Sequence, residues 1–201
     1  MNNLAISLRN FLFVVAAVAL FTAPSLADTV TVTGNTTGGP TFNRTETGAT
    51  PGTLSAIGTA VPYRVFQVNV SSTGNYTFES TSNTTGYDPF IALYAGSFNP
   101  ASPLFNFVIA NDNRTPGNFT ESALGVFSPL SLMMGTNYFL VQTGFNNADF
   151  GAFTLVASGP GIITLSSVTP PPAAVPEPTT MILLATGLAG IAARARRRRQ
   201  N

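Results

Sequence analysis

Apolar and polar residues alternate in short runs along most of this chain, and glycine, asparagine or serine closes each run. Residues 29–33 read Thr-Val-Thr-Val-Thr, a period of two that predicts a first short strand. Residues 35–40 and 45–52 are rich in Gly, Thr and Pro and read as loops. A second strand is predicted over 63–70, where Phe66, Val68 and Val70 share one face. Ser72-Thr73-Gly74-Asn75 is a turn, and Tyr76 with Phe78 turns the next strand's apolar face inward. Residues 81–87 read as loop. The nearly unbroken apolar run 90–94 predicts a strand buried on both faces.

Strands are further predicted over 105–110 and over 122–132, where Pro129 demands an edge or a bend. Two more follow at 138–142 and 152–157, and 162–168 is a ninth candidate. Between the first strand and residue 168 no run has a convincing helical period. Many short strands with Gly- and Asn-rich turns indicate one all-β sandwich over residues 28–168. Residues 169–174 (Thr-Pro-Pro-Pro-Ala-Ala) form an extended Pro-rich linker.

The two ends break the pattern. Arg9 precedes an apolar run at 11–21, and Ser25-Leu26-Ala27 is a small-x-small site before Asp28. That is a secretory signal peptide over residues 1–27, cut between Ala27 and Asp28 by signal peptidase after the translocon. At the other end, Val175-Pro176-Glu177-Pro178 is stiff and extended, because each proline fixes φ and pushes its predecessor out of the helical region. Residues 179–193 carry no charge and fit a hydrophobic transmembrane helix. Arg194, Arg196, Arg197, Arg198 and Arg199 then form a cationic stop. The span is short: about 20–22 Å of helix against a hydrocarbon core of ~30 Å. Such a segment suits a transient hold in the inner membrane during processing, and a permanently membrane-anchored protein is the rival reading.

Charge is concentrated in that tail. Residues 28–175 hold three arginines (Arg44, Arg64, Arg114) against seven carboxylates (Asp28, Glu46, Glu79, Asp88, Asp112, Glu121, Asp149), a net of −4. The body therefore lacks the basic surface that nucleic acid requires. Lysine, histidine and cysteine are absent. A serine nucleophile has no base, zinc lacks its usual ligands, and no Gly-x-Ser-x-Gly elbow occurs. Only a carboxylate pair drawn from Glu79, Glu121 and Asp149 remains for catalysis, as in a carbohydrate-active enzyme. Nothing in their spacing makes two of them converge, so the expectation is a non-catalytic domain without a cofactor.

Asp88, Asn111, Asp112 and Asn113 bracket the central strands. Asx residues at a strand end commonly bond their own backbone and hold the turn. The same oxygens suit calcium, a hard cation, although two carboxylates make a weak site. Phe98, Phe105, Phe107, Phe119, Phe145 and Phe150 are expected mostly in the core, since a sandwich without tryptophan needs phenylalanine to fill it; any left exposed could stack on sugars.

Two resemblances add to this. Pro176, Glu177 and Pro178, the apolar segment and the arginine run together resemble the PEP-CTERM signal over 175–201. That implies recognition by exosortase, a membrane transpeptidase, and a destination at the cell surface or in the extracellular exopolysaccharide matrix. Asn75-Tyr76-Thr77-Phe78, Asp88-Pro89-Phe90-Ile91-Ala92-Leu93-Tyr94, Ala110-Asn111-Asp112-Asn113, Gly135-Thr136-Asn137-Tyr138-Phe139-Leu140-Val141 and Gly151-Ala152-Phe153-Thr154-Leu155 occur in an order that resembles bacterial pre-peptidase C-terminal (PPC-like) domains. That resemblance implies a jelly-roll-like, non-catalytic accessory module and carries no ligand over; the destination at the surface or in the matrix makes a surface polysaccharide a candidate partner.

Overall fold

A computed structural model describes residues 27–168. All of the signal segment 1–27 but Ala27, the linker 169–174 and the sorting segment 175–201 lie outside the described residues.

The described chain is an all-β sandwich of antiparallel strands. One sheet has β1 (Ala27–Asn35) at its edge, then β12 (Ala152–Pro160) and β6 (Gly74–Ser82). Along the far side of β6 run β9 (Glu121–Leu124) and β10 (Leu130–Leu132). The second sheet is ordered β13 (Ile163–Val168), β5 (Arg64–Val70), β11 (Tyr138–Gly144), β7 (Pro89–Ala95), β8 (Phe107–Asn111) and β3 (Gly48–Ala49). β2 (Thr41–Phe42) and β4 (Val61–Pro62) form a separate two-stranded pair. The first strand pairs with the twelfth, Ala27 opposite Pro160 and Asn35 opposite Ala152.

Period-two alternation fills the space between the sheets. Phe66, Val68 and Val70 of β5 meet Phe153, Leu155 and Ala157 of β12, with Tyr76 and Phe78 of β6 and Leu140 of β11. The Phe66 and Phe153 rings cross edge to face at 6.1 Å, a favoured aromatic geometry. Each such side chain fully buried contributes about 1.5–3 kcal/mol.

The six-stranded sheet is covered on its outer face too. Val65, Phe90, Ala92, Tyr94, Phe107 and Val141 pack there beneath Phe42, Tyr63, Phe98 and Phe145. Residues 36–60 form a strap over this second core, and Phe98 is its aromatic hub, 4.8–5.4 Å from Phe42, Tyr63 and Tyr94. This explains the apolar run in β7, in which Pro89 to Tyr94 are all buried.

Several boundaries differ from the sequence reading. Residues 122–132 are two strands, β9 and β10, separated by a turn at 125–129. Gly125 has φ +78 there and approaches the Tyr76 carbonyl too closely for a side chain. Loop 45–52 contributes β3 to the sheet edge through β8. The phenylalanines divide: Phe107 is buried and Phe98 and Phe145 pack on the second core, but Phe105, Phe119 and Phe150 are exposed. They sit in turns, where no opposing sheet covers them.

Candidate functional site

One end of the six-stranded sheet gathers Arg44, Glu46, Asp88, Asp112 and Asp149, half of the body's charged residues. The ladder pairs Ile91 of β7 with Asn111 of β8, so Asp88 and Asp112 flank the point where the two strands part. On the other side of β7, Gly144 pairs with Pro89, and the Phe145 N–H donates to the Asp88 carbonyl at 3.0 Å. The loop after β11 folds back at once: the Asp149 carbonyl lies where a Cβ on Gly144 would stand. A carboxylate oxygen of Asp149 accepts the Asn146 N–H at 2.9 Å. Three aspartates far apart in sequence thus approach one another.

Arg44 enters from the strap and is wholly buried. Its guanidinium lies between the rings of Phe90 and Phe145, 4.3 and 4.7 Å from their centroids. Nε donates to the Phe145 carbonyl at 2.7 Å and Nη1 to the Thr45 carbonyl at 2.7 Å. Glu46 is its ion-pair partner, at 3.7 Å. The strap clasps the residue by its main chain: the Arg44 N–H donates to Gly58 O at 2.9 Å and the Ser55 N–H to Arg44 O at 2.8 Å. Sequence reasoning missed Arg44, and only its alternation with inward Phe42 could have singled it out.

Burial dominates the titration of this cluster. Desolvation, then repulsion from Asp112 and Asp149, pushes the Asp88 carboxyl up to about 7, with Arg44 pulling the other way. Asp112 is pushed up to about 6 by desolvation, offset by Arg44 and reinforced by Asp149 and Glu46. Desolvation also raises Asp149, against the Asn146 hydrogen bond and Arg44. Burial lowers Arg44, while Glu46 and the three aspartates favour its charged form.

Asn111 ends β8. Its amide donates to the carbonyls of Asn113 (3.1 Å) and Ala123 (2.7 Å), tying the β8 end to β9, and Ser122 Oγ donates back to Asn111 O at 2.8 Å. This is the turn-holding role. Asp112 and Asn113 are linked through the Asn113 amide at 2.9 Å. Among the described residues no three His, Cys, Asp or Glu side chains are grouped to hold a metal.

The carboxylates considered for catalysis separate into two places. Glu79 and Glu121 converge, which their spacing did not reveal, because β6 and β9 are neighbours. They converge on Arg114, whose Nη1 lies 3.0 and 3.7 Å from them. Asp149 belongs to the other cluster. At the amino end, Ala27 opens β1, and Asp28 accepts the Ile163 N–H at 2.9 Å, joining the edges of the two sheets. No helix among the described residues is long and apolar enough to cross a membrane.

No curated protein matches this chain. Among solved structures, a CBM35 from Cellvibrio japonicus Abf62 aligns with a TM-score of 0.34 and 10% identity, over 68% of this chain and 98% of that one. Residues 174–198 match the PEP-CTERM protein-sorting motif, which implies an extracellular protein sorted by exosortase and held by a C-terminal membrane anchor before processing.

Proposed function

We propose that this chain is a surface or exopolysaccharide-matrix protein whose β-sandwich scaffolds or binds without catalysing a reaction. The sorting motif at 174–198 carries the reading. The ordered motifs from Asn75 to Leu155, similar to those of PPC-like accessory modules, support a non-catalytic role. So does the engagement of both Glu79 and Glu121 by Arg114, 3.0 and 3.7 Å away, since a glycosidase pair must face a sugar and not a shared arginine. Exposed Phe105, Phe119, Phe127 and Phe150 leave aromatic faces open to a polymer. Export begins with cleavage between Ala27 and Asp28, and the tail pauses in the inner membrane until exosortase acts near Pro176-Glu177-Pro178.

The test is intact mass and fractionation of the full chain, and of a chain truncated after residue 174, in an exosortase-bearing host. The full chain should reach the surface fraction lacking both ends, and the truncated one should be missorted. Mature protein that keeps its arginine tail would overturn the sorting reading. Polysaccharide hydrolysis lost in Glu79→Gln or Glu121→Gln would overturn the non-catalytic one.

A further inference from the structure

The sheet that begins with β1 is open along that strand. The Thr36 N–H donates to Gly151 O at 2.9 Å, and hydrogen bonding alternates along an antiparallel strand. Asp28, Val30, Val32 and Gly34 therefore bond to β12, and Thr29, Thr31 and Thr33 turn their main-chain N–H and C=O away from the sheet. Side chains close both ends of that row. Asp28 Oδ1 accepts the Thr29 N–H at 2.9 Å, and Arg64 Nε donates to Asn35 O at 2.7 Å. Between them, no strand among the described residues covers Thr31 and Thr33.

Open edges pair readily with another chain, and folds blunt them with lysine, proline, a bulge or brevity. β1 has none of these. It is nine residues long, keeps one register with β12 from end to end, and belongs to a chain without lysine. Other edges are protected: β3 has two residues, β10 has three, and the first N–H of β13 is held by Asp28. The free stretch of β1 is also a palindrome, Thr-Val-Thr-Val-Thr over 29–33. A two-fold axis at Thr31 sets Thr31 against Thr31 of a second copy, Thr29 against its Thr33, and Val30 against its Val32. Each outward N–H then meets an outward carbonyl. The threonine side chains are exposed on the outer face, where such cross-strand pairs are favourable, and Val30 and Val32 extend the apolar layer at the core margin. Charge agrees as well. Asp28 comes opposite Gly34 of the second copy and next to its Asn35, where Arg64 is bound, so a carboxylate meets a guanidinium at each end of the ladder.

We propose that β1 is a self-association edge, pairing antiparallel with β1 of a second copy of this chain about a two-fold axis at Thr31. The two sheets become one continuous sheet. The interface is isologous, so assembly stops at two chains. A ladder this short buries less than a standard interface, which makes the dimer weak and reversible. The contact lies wholly within the sandwich and needs neither a sugar nor the sorting motif.

The experiment is analytical ultracentrifugation of the exported protein over a wide range of concentration, with thermal melts in parallel. The mass should rise from one chain to two and no further. Thr31→Lys sets like charges face to face at the axis and should weaken association by at least about tenfold. Its melt should match the parent's, because the side chain at 31 is exposed. Thr31→Pro removes an outward N–H that β12 does not use, and should weaken association in the same way. Thr29→Lys/Thr33→Glu places opposite charges across the two-fold register and should tighten the dimer several-fold. A single chain at every concentration would overturn the proposal. So would a dimer that both Thr31 variants leave undiminished, since its contact would lie on another face. Mass climbing past two chains would mean that β1 takes a different edge of its neighbour, and looser association of the double variant would refute the register.

Discussion

Arg44 Nε donates to the main-chain oxygen of Phe145 at 2.7 Å, across 101 residues of sequence. That bond ties the strap to the loop that carries Asp149, with the guanidinium stacked between Phe90 and Phe145. Replacing Arg44 by Met keeps the apolar stem but leaves two carbonyls without donors and three aspartates without their buried cation. Removing one partner of a buried charge network costs about 3–5 kcal/mol. Urea unfolding of Arg44→Met should show a loss of that order.

Gly58 lies directly under the same side chain. A Cβ there would stand 2.6 Å from Arg44 Nε and 2.7 Å from Cγ, and the buried arginine has no free direction in which to yield. Gly58→Ala should therefore destabilise by about 1–3 kcal/mol, the usual cost of overpacking. The same urea curves measure it, and the double variant with Arg44→Met should lose less than the two single losses added.

Arg114 is the contrasting case. Its side chain is 40% exposed, as are parts of Glu79 (31%) and Glu121 (29%). Exposed ion pairs are worth about 0–1 kcal/mol. Arg114→Ala should change the unfolding free energy by less than ~1 kcal/mol, and high salt should mask even that.

Asp88 and Asp112 set a pH dependence whose sign is fixed. Their folded values, about 7 and about 6, lie above the ordinary 3.8, and Asp149 moves the same way. The folded state thus binds more protons than the unfolded chain between about pH 4 and 7. Their contribution to stability is complete below the ordinary value and is lost as pH rises through the folded values. The unfolding midpoint should be higher at pH 5 than at pH 8, and Asp88→Asn should reduce that slope.

The sheets were legible wherever alternation was local. Phe66, Val68 and Val70 announce one inward face, and the apolar run in β7 announces burial on both. Strand ends were harder to read, because Ser82 and Pro160 are held by their neighbours across the sheet (Phe153 and Ala27) and not by any propensity of their own. Asp88 and Asp112 stood out because each abuts an apolar run. Arg44 did not, since a lone arginine in a threonine-rich loop shows its burial only once the strap crosses the sheet. The pairing of Glu79 with Glu121 depends on β9 lying beside β6, which no spacing along the chain encodes.

The partnership of β1 with β12 also governs how the domain comes together. Synthesis delivers β1 before the rest of the sandwich, yet among the described residues the strand hydrogen-bonded along it is the twelfth, more than a hundred residues later. High contact order of this kind slows folding toward the millisecond-to-second range. The nascent chain therefore has no early native hairpin for its leading segment. That segment stays without its ladder partner until β12 has been made.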